Sequence, residues 1–415
     1  MPPTETIGQT GALASLHWLQ NQSEVTGTEG PMPARADVVI IGGGYVGGAT
    51  AYWLARRGVQ AVLIERRGIS TGATGRNAGF IAPGLGMAFA AAVARYGREG
   101  ALQRLNFTRR GRDLALKMIE DLNVECSLEA LGGLTLAASD EEWGSLQASG
   151  AALREAGAPI EVLGRKELQA HLDTELPDRF RGALFNPESL LVNPAALNNA
   201  IVRAAQSLGA SIYLGTEVGA LTDASDGRIS VETSRGSVNA GRVVLATNAW
   251  SPQLAGFLRQ RINPVRGQVL ATEPAPRVFR HAMSTNYGYE YWSQRADGTI
   301  VLGGARWATA DRDEGYYAEE LNHQVQGALY GFLTGTFPAL AGVKIARRWS
   351  GIMGFSKDGY PFIGPIPGRE RLIVAAGFTG HGGPYFAITG KSVAELIVDG
   401  KPEEPIANYA LDRAL

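Results

Sequence analysis

Gly42-Gly43-Gly44-Tyr45-Val46-Gly47, with Ala51 four residues further on, sets three glycines at the spacing G-x-G-x-x-G-x-x-x-A. That pattern holds a pyrophosphate. The first glycine permits a tight turn, the second lets backbone approach the anion, and the third lets a helix pack closely on a strand. Amides at the helix N-terminus, with Tyr45 and Val46 among the first residues, favour negative charge. Glu65 ends a second apolar strand about 20 residues on, where a carboxylate accepts hydrogen bonds from ribose hydroxyls. The unit reads as dinucleotide-binding, and by itself it does not separate NAD from FAD.

Three further segments carry candidate chemistry. ISTGATGRNAGF (69–80) follows the acid-tipped strand and has room for the remainder of a large dinucleotide. VVLATNAW (243–250) ends an apolar strand in a tight Ala246-Thr247-Asn248. IVAAGFTGHGG (373–383) is a second strand and Gly-rich loop able to aim amides at a ring carbonyl. Within it, His381 between Gly380 and Gly382 is the best single polar active-site candidate, with a helix dipole expected to hold it neutral. Tyr287, Tyr289, Tyr291 and Trp292 cluster in what reads as one strand, with Trp307 and Trp349 behind them. Alternation puts the three tyrosines on one face, where they suit an amine; ordinary sheet core is the competing reading. Arg76 and Arg306 are the candidate cations for a carboxylate. No histidine pair has zinc-ligand spacing, so no metal site is expected.

The elements that must position these groups follow from periodicity. Val38–Ile41, a helix Ala49–Arg57 and Ala61–Ile64 form a βαβ unit. Helices are expected over about 88–122, 141–155, 165–172, 194–208, 317–333 and 385–399, and strands over 134–137, three runs within 211–246, several within 264–304, and 372–376. The chain has 415 residues, 45% apolar and 19% charged, with net charge −1. That excludes global disorder and lacks the basic excess of a nucleic-acid binder. The single cysteine, Cys126, excludes an intramolecular disulfide framework and reads as a buried small residue. Residues 1–30 show no secretory pattern, and Val38–Ala55, interrupted by five glycines, is not a membrane span. A cytoplasmic protein is expected.

With these motifs in place, the sequence resembles the FAD-dependent D-amino-acid oxidase, glycine oxidase and sarcosine oxidase superfamily over about residues 36–400. The resemblance rests on VVIIGGGYVGGATAYWLA with Glu65, GATGRNAGF, PVRGQVL (264–270), DGYPFIG (358–364) and GFTGHGG (377–383). The GRN and GHG elements are similar to its amine-oxidising branch, which includes γ-glutamylputrescine oxidoreductases. It implies an α/β plus α+β fold: a discontinuous, glutathione-reductase-type FAD-binding Rossmann domain and an antiparallel β-sheet substrate domain. The expected divisions are an extension at 1–35, an FAD domain of 36–110, 190–263 and 345–415, and a substrate domain of 111–189 and 264–344.

The resemblance also assigns roles. Gly42, Gly44 and Gly47 would hold the pyrophosphate and Glu65 the ribose. Arg66, Thr71, Ala73, Gly75 and the run Arg76, Asn77, Ala78, Gly79, Phe80 would wrap the ribityl chain and flavin. Val218 would meet adenine through its backbone, Ala246 and Thr247 would border the dinucleotide, and Gly351, Gly380, His381, Gly382 and Gly383 would meet the flavin ring. His381, Arg76, Tyr289, Tyr291, Arg306 and Trp349 are the expected catalytic set.

Departures from the family pattern narrow the chemistry. Met353 follows Trp349-Ser350-Gly351-Ile352 where glycine-oxidase-like members carry an Arg for the substrate carboxylate. Pro384 stands where monomeric sarcosine oxidases carry a Lys two residues after G-H-G. The Trp349 region has no Cys, so noncovalent FAD is expected. Sarcosine oxidases use a Lys above the flavin to speed oxygen reduction, and no Lys occurs between Lys166 and Lys344. The implied reaction is oxidation of a C–N bond by hydride transfer to flavin N5, giving an imine and then a carbonyl, with hydrogen peroxide from oxygen. Two alternatives stay open: a dehydrogenase passing electrons to a quinone or carrier, and a flavoprotein subunit active only with a partner. Oligomeric state is not legible.

Overall fold

The computed structural model describes residues 16–20 and 22–413, so the expectation for the N-terminal extension lies partly outside the described residues. What is described of that extension is not a detached polar tail: Leu16 and Trp18 are buried against Ala78, Val269 and Trp349.

Two eight-stranded sheets organise the chain. In the first, five strands run parallel in the order Arg369–Ala376, Gly236–Leu245, Arg35–Ile41, Ala61–Ile64 and Ser211–Tyr213. Phe362–Ile366 adds antiparallel at one edge. Parallel neighbours need crossovers, which explains the helices between them. Alternation divides the central strand's side chains. Val38 and Ile40 enter the core formed with the helices Tyr45–Arg56, Pro194–Ser207 and Phe386–Asp399. Val39 and Ile41 face the other way, into a core shared with the meander Val218–Asp223, Ile229–Thr233, Gly236–Leu245. Each fully buried Val or Ile contributes about 1.5–3 kcal/mol by burial.

The second sheet runs Ile345–Ser356, Ile262–Thr272, Ile300–Gly304, Glu290–Gln294, Ala282–Thr285, Gly133–Ala137, Gly182–Asn186, Glu161–Gly164. All its pairs are antiparallel except Ala282–Thr285 with Gly133–Ala137, which is parallel. Helix His323–Thr336 covers its back through Val325, Leu329 and Leu333.

Several local expectations shift. The first helix begins at Tyr45 rather than Ala49, directly at the glycine turn. The helix Phe89–Asp121 is broken at Gly97, whose φ is +72. SIYLGTEV is two strands split at Gly215, which has φ +59. The helix expected from 317 starts at His323 because Asn322 Oδ1 caps the amides of Gln324 and Val325. The long strand Ile345–Ser356, paired along Ile262–Thr272, was not anticipated.

Candidate active site

The glycine turn lies between the first strand and first helix, as its spacing requires. Gly42 has φ +112, and a Cβ there would sit 2.7 Å from the Ala246 carbonyl oxygen. A Cβ on Gly47 would fall 1.9 Å from the Gly42 oxygen, so the helix can approach the strand only without one. Gly44 precedes the helix and offers no side-chain cap. The first-turn amides are therefore not covered by the residue that usually satisfies them. One is taken: Tyr45 N–H donates to Thr74 Oγ1 at 2.9 Å. Thr74 was not singled out from sequence; its signal was position within the 3-10 turn Ala73–Arg76.

Glu65 does two things here. Its Oε2 accepts from Gly43 N–H at 2.7 Å and its Oε1 from Arg67 N–H at 2.9 Å. The carboxylate is thus fixed beside the glycine turn, and each oxygen keeps a lone pair for a further donor.

From this point one cavity of about 1130 Å³ runs between the two sheets. At its near end stand Glu65, Arg66, Val218, Ala246 and Thr247. The Arg66 guanidinium lies 4.4 Å from the Trp250 ring centre, and Thr247 Oγ1 is 2.9 Å from Ser251 Oγ. Its middle is walled by Gly42, Gly44, Tyr45, Val46, Ala73, Asn77 and Ala78. Its far end collects Arg76, Phe80, Gly351, Met353, Pro384 and the Gly380–Gly383 loop, with Tyr289, Tyr291 and Arg306 from the second sheet.

Not every candidate borders this space. Thr71, Gly75 and Gly79 lie behind the lining and brace the loop. The Thr71 carbonyl accepts from Arg76 Nε at 2.8 Å. A Cβ on Gly75 would meet Ser70 O at 2.1 Å, and one on Gly79 would meet Val192 O at 2.4 Å. Trp349 is also outside the lining: it is buried, and its indole N–H donates to the Arg76 carbonyl at 2.9 Å. His17 stacks over it at 6.1 Å. Trp292 packs into the core on the sheet's other side. Trp307, half exposed, donates to Glu290 Oε1.

The expected tyrosine face is not formed. The strand begins at Glu290, so only Tyr291 belongs to it. Asn286, Tyr287 and Gly288 all have positive φ and make a tight turn that carries Tyr287 out of the pleat. Tyr287 is 61% exposed at the cavity mouth. Its amide is held by the buried Glu142 carboxylate at 2.9 Å. Tyr291 packs against Phe80, ring centres 6.3 Å apart, and burial pushes its phenol up.

Arg76 is not a free charge. It is 4% exposed, and its Nη1 donates to the Ser350 carbonyl at 2.7 Å while Nη2 pairs with Glu319 at 3.0 Å. Burial lowers its pKa to about 10, with Glu319 opposing. Arg306, in contrast, forms no ion pair among the described residues; it donates to the Arg312 carbonyl at 3.2 Å. Its guanidinium sits 5.5 Å from the Tyr289 ring centre and 5.1 Å from that of Phe355.

His381 is exposed on its loop, five residues before the helix Phe386–Asp399 begins, so the dipole contact expected from sequence is not made. Its Nδ1 is 2.9 Å from the Thr379 carbonyl oxygen. A carbonyl only accepts, so Nδ1 carries the proton in that contact, and in the neutral ring Nε2 is an acceptor. Asn248, from the tight Ala246-Thr247-Asn248 that ends its strand, ties this loop down: its Oδ1 accepts from Gly377 N–H at 3.0 Å, a contact that sequence does not show.

A helix N-terminus that Gly44 leaves without a side-chain cap, a carboxylate fixed about 20 residues on and a cavity beyond drug-sized dimensions together fit a dinucleotide. Comparison with known proteins agrees. Residues 37–396 match the family described as FAD dependent oxidoreductase (DAO), and the chain belongs to that family. It is an FAD-dependent oxidoreductase. The chain is 27% identical to a glycine oxidase of Geobacillus kaustophilus, over 92% of its own length and 98% of the relative's. It is 29% identical to a sarcosine oxidase subunit beta of Rhizobium meliloti, over 91% and 88%. Among solved structures, L-proline dehydrogenase from P. horikoshii superposes with a TM-score of 0.78 at 27% identity, covering 92% of this chain and 98% of that one. Among the described residues, no helix is long and apolar enough to cross a membrane, and no cluster of three or more His, Cys, Asp or Glu is placed to hold a metal ion.

Proposed function

We propose that this protein oxidises the C–N bond of an amine or amino acid: amine, oxygen and water give a carbonyl compound, ammonia or a smaller amine, and hydrogen peroxide. The observation that carries this reading is the single cavity joining the glycine cradle to Tyr291, His381 and the carboxylate-free Arg306. Bound FAD supplies the two-electron acceptor for the substrate's C–H hydride. The first-turn amides after Gly44 would hold its pyrophosphate, Glu65 its ribose, and the Gly380–Gly383 loop with Gly351 its ring, in a discontinuous glutathione-reductase-type domain. The strand Ile345–Ser356 belongs, in this reading, with the substrate sheet.

The chain's own residues do the rest. Arg306 binds a carboxylate and so orients the substrate. Tyr291, Phe80 and Met353 exclude water from the reacting carbon. His381, with Nδ1 on the Thr379 carbonyl, presents Nε2 to the substrate's amino group and so helps to orient it. A dehydrogenase is the second reading. It is supported by the likeness to L-proline dehydrogenase and by the absence of lysine between Lys166 and Lys344. The likeness to a sarcosine oxidase subunit supports a partner-dependent form.

The test is to follow the visible spectrum of the purified holoprotein anaerobically as amines and amino acids are added. Bleaching by one class identifies the substrate, and the speed of colour return in air separates oxidase from dehydrogenase. A yellow protein that none of them bleaches overturns the reading.

A further inference from the structure

Beyond its flavin end, the cavity continues into a chamber between the helices Phe89–Asp121 and Asp140–Glu155. Glu142, Ser145, Leu146, Ser149 and Leu153 all border it, and their spacing of i, i+3, i+4, i+7, i+11 puts them on one helix face. The adjacent face is occupied otherwise: a Cβ on Gly150 would strike Val162 and Leu184. Phe89, Leu105, Ala158 and Ile160 complete the chamber and belong with Leu153 to one apolar cluster. The chamber is continuous with the reacting end. A Cβ on Gly86 would lie 3.6 Å from His381 Nδ1, and its neighbours Leu85 and Met87 pack against that same cluster.

The wall is graded. It passes from the Glu142 carboxylate near Tyr287 to serines and then aliphatic side chains. Ser149 borders the cavity and is 3% exposed, and its buried Oγ has no hydrogen-bond partner among the described residues. Buried hydroxyls are ordinarily paired, and rotation about χ1 toward the cavity that Ser149 borders is what would bring this one a partner.

We propose that the substrate carries an aliphatic arm of several carbons in this chamber, ending in a hydrogen-bonding group that meets Ser149. This rests on the amine-oxidising reading and narrows it to amines or amino acids with an extended substituent, against glycine-sized ones. Each buried methylene then strengthens binding about fourfold, and the Ser149 contact adds about two- to tenfold.

The probes are straight-chain carboxylic acids from acetate to octanoate and their ω-hydroxy counterparts, bound to the FAD-loaded protein and read by perturbation of the flavin spectrum. Dissociation constants are expected to fall about fourfold per methylene until the chamber is full. Ser149→Ala should remove the extra affinity of the ω-hydroxy acid that reaches it. Ala158→Phe and Leu146→Trp, which fill the chamber, should flatten the series. Leu146 is only half-buried, so that variant carries the test where Ala158→Phe does not fold. A flat series in the unaltered protein, or a slope that survives chamber filling, overturns the proposal. The same protein is then given long-chain amines anaerobically: length-dependent binding without bleaching keeps the chamber and rejects amine oxidation, whereas bleaching by short amines with a flat series does the reverse.

Discussion

Glu319 and Arg76 meet at 3.0 Å and join the segment ahead of helix His323–Thr336 to the loop that walls the cavity. The same carboxylate takes two bonds from Arg67, at 2.6 and 3.0 Å, so one acid serves two guanidiniums. Arg76 is buried, and without this partner its charge has only the Thr71 and Ser350 carbonyls.

Glu319→Gln is therefore expected to cost about 2–4 kcal/mol, because removing one partner leaves a buried charge uncompensated. The figure sits below that for full burial since the Glu319 side chain keeps 13% exposure. Urea unfolding measures it. Arg76→Met in the Glu319→Gln background should return part of the loss, and strictly additive effects would reject coupling between the two.

Cys126 gives a pH-dependent prediction. Burial pushes its thiol up to about 11. Thiolate is the reactive form, so the native protein should resist a disulfide reagent at pH 8 and react fully in urea. The sign of the stability effect follows. The folded thiol holds its proton more tightly than the unfolded one, so its contribution, on the order of 2–3 kcal/mol, is complete below pH ~9. It is lost as pH rises towards 11. Rapid native labelling at pH 8 would contradict this.

The cradle was readable because its causes are local. Gly42, Gly44, Gly47 and Glu65 lie on one βαβ unit, and their spacing fixes the turn. The far end was not readable for reasons visible at single residues. Tyr287 and Tyr289 alternate with Tyr291 in sequence, but three consecutive residues of positive φ turn the chain before the strand starts. Glu319 carries no motif, and only the tertiary fold brings it to Arg76. Trp349 is expected in the catalytic set, yet its ring is covered by His17 and Trp18 from the N-terminal segment, whose sequence reads as a polar extension.

The glycines of the turn should separate folding from binding. Gly47→Ala places a Cβ 1.9 Å from backbone oxygen and should lower Tm by several degrees even without FAD. Gly44→Ala meets only the Thr74 hydroxyl, at 3.0 Å, and should fold nearly normally. Its added methyl stands where the anion approaches, so FAD affinity should fall about tenfold or more, a loss of about 1.4 kcal/mol. Differential scanning calorimetry of apoprotein beside an FAD titration checks both; equal effects of the two variants on Tm would contradict the division.

Arg306 tests what the substrate presents. It forms no ion pair among the described residues, and it is held between the Tyr289 and Phe355 rings with one bond to the Arg312 carbonyl. Its other donors are left for a ligand in the cavity it borders. A charge-assisted hydrogen bond contributes about 1.5–3 kcal/mol, so Arg306→Ala should raise KM for an amino acid about 10- to 100-fold. Binding lost equally from ground and transition states leaves kcat within about threefold. An amine of the same length without a carboxylate should be oxidised by Arg306→Ala as by the unaltered protein, and Arg306→Lys should recover part of the amino-acid KM. Steady-state kinetics on the matched pair decides it: an equal loss for both substrates would mean that Arg306 shapes the cavity mouth and does not read a carboxylate.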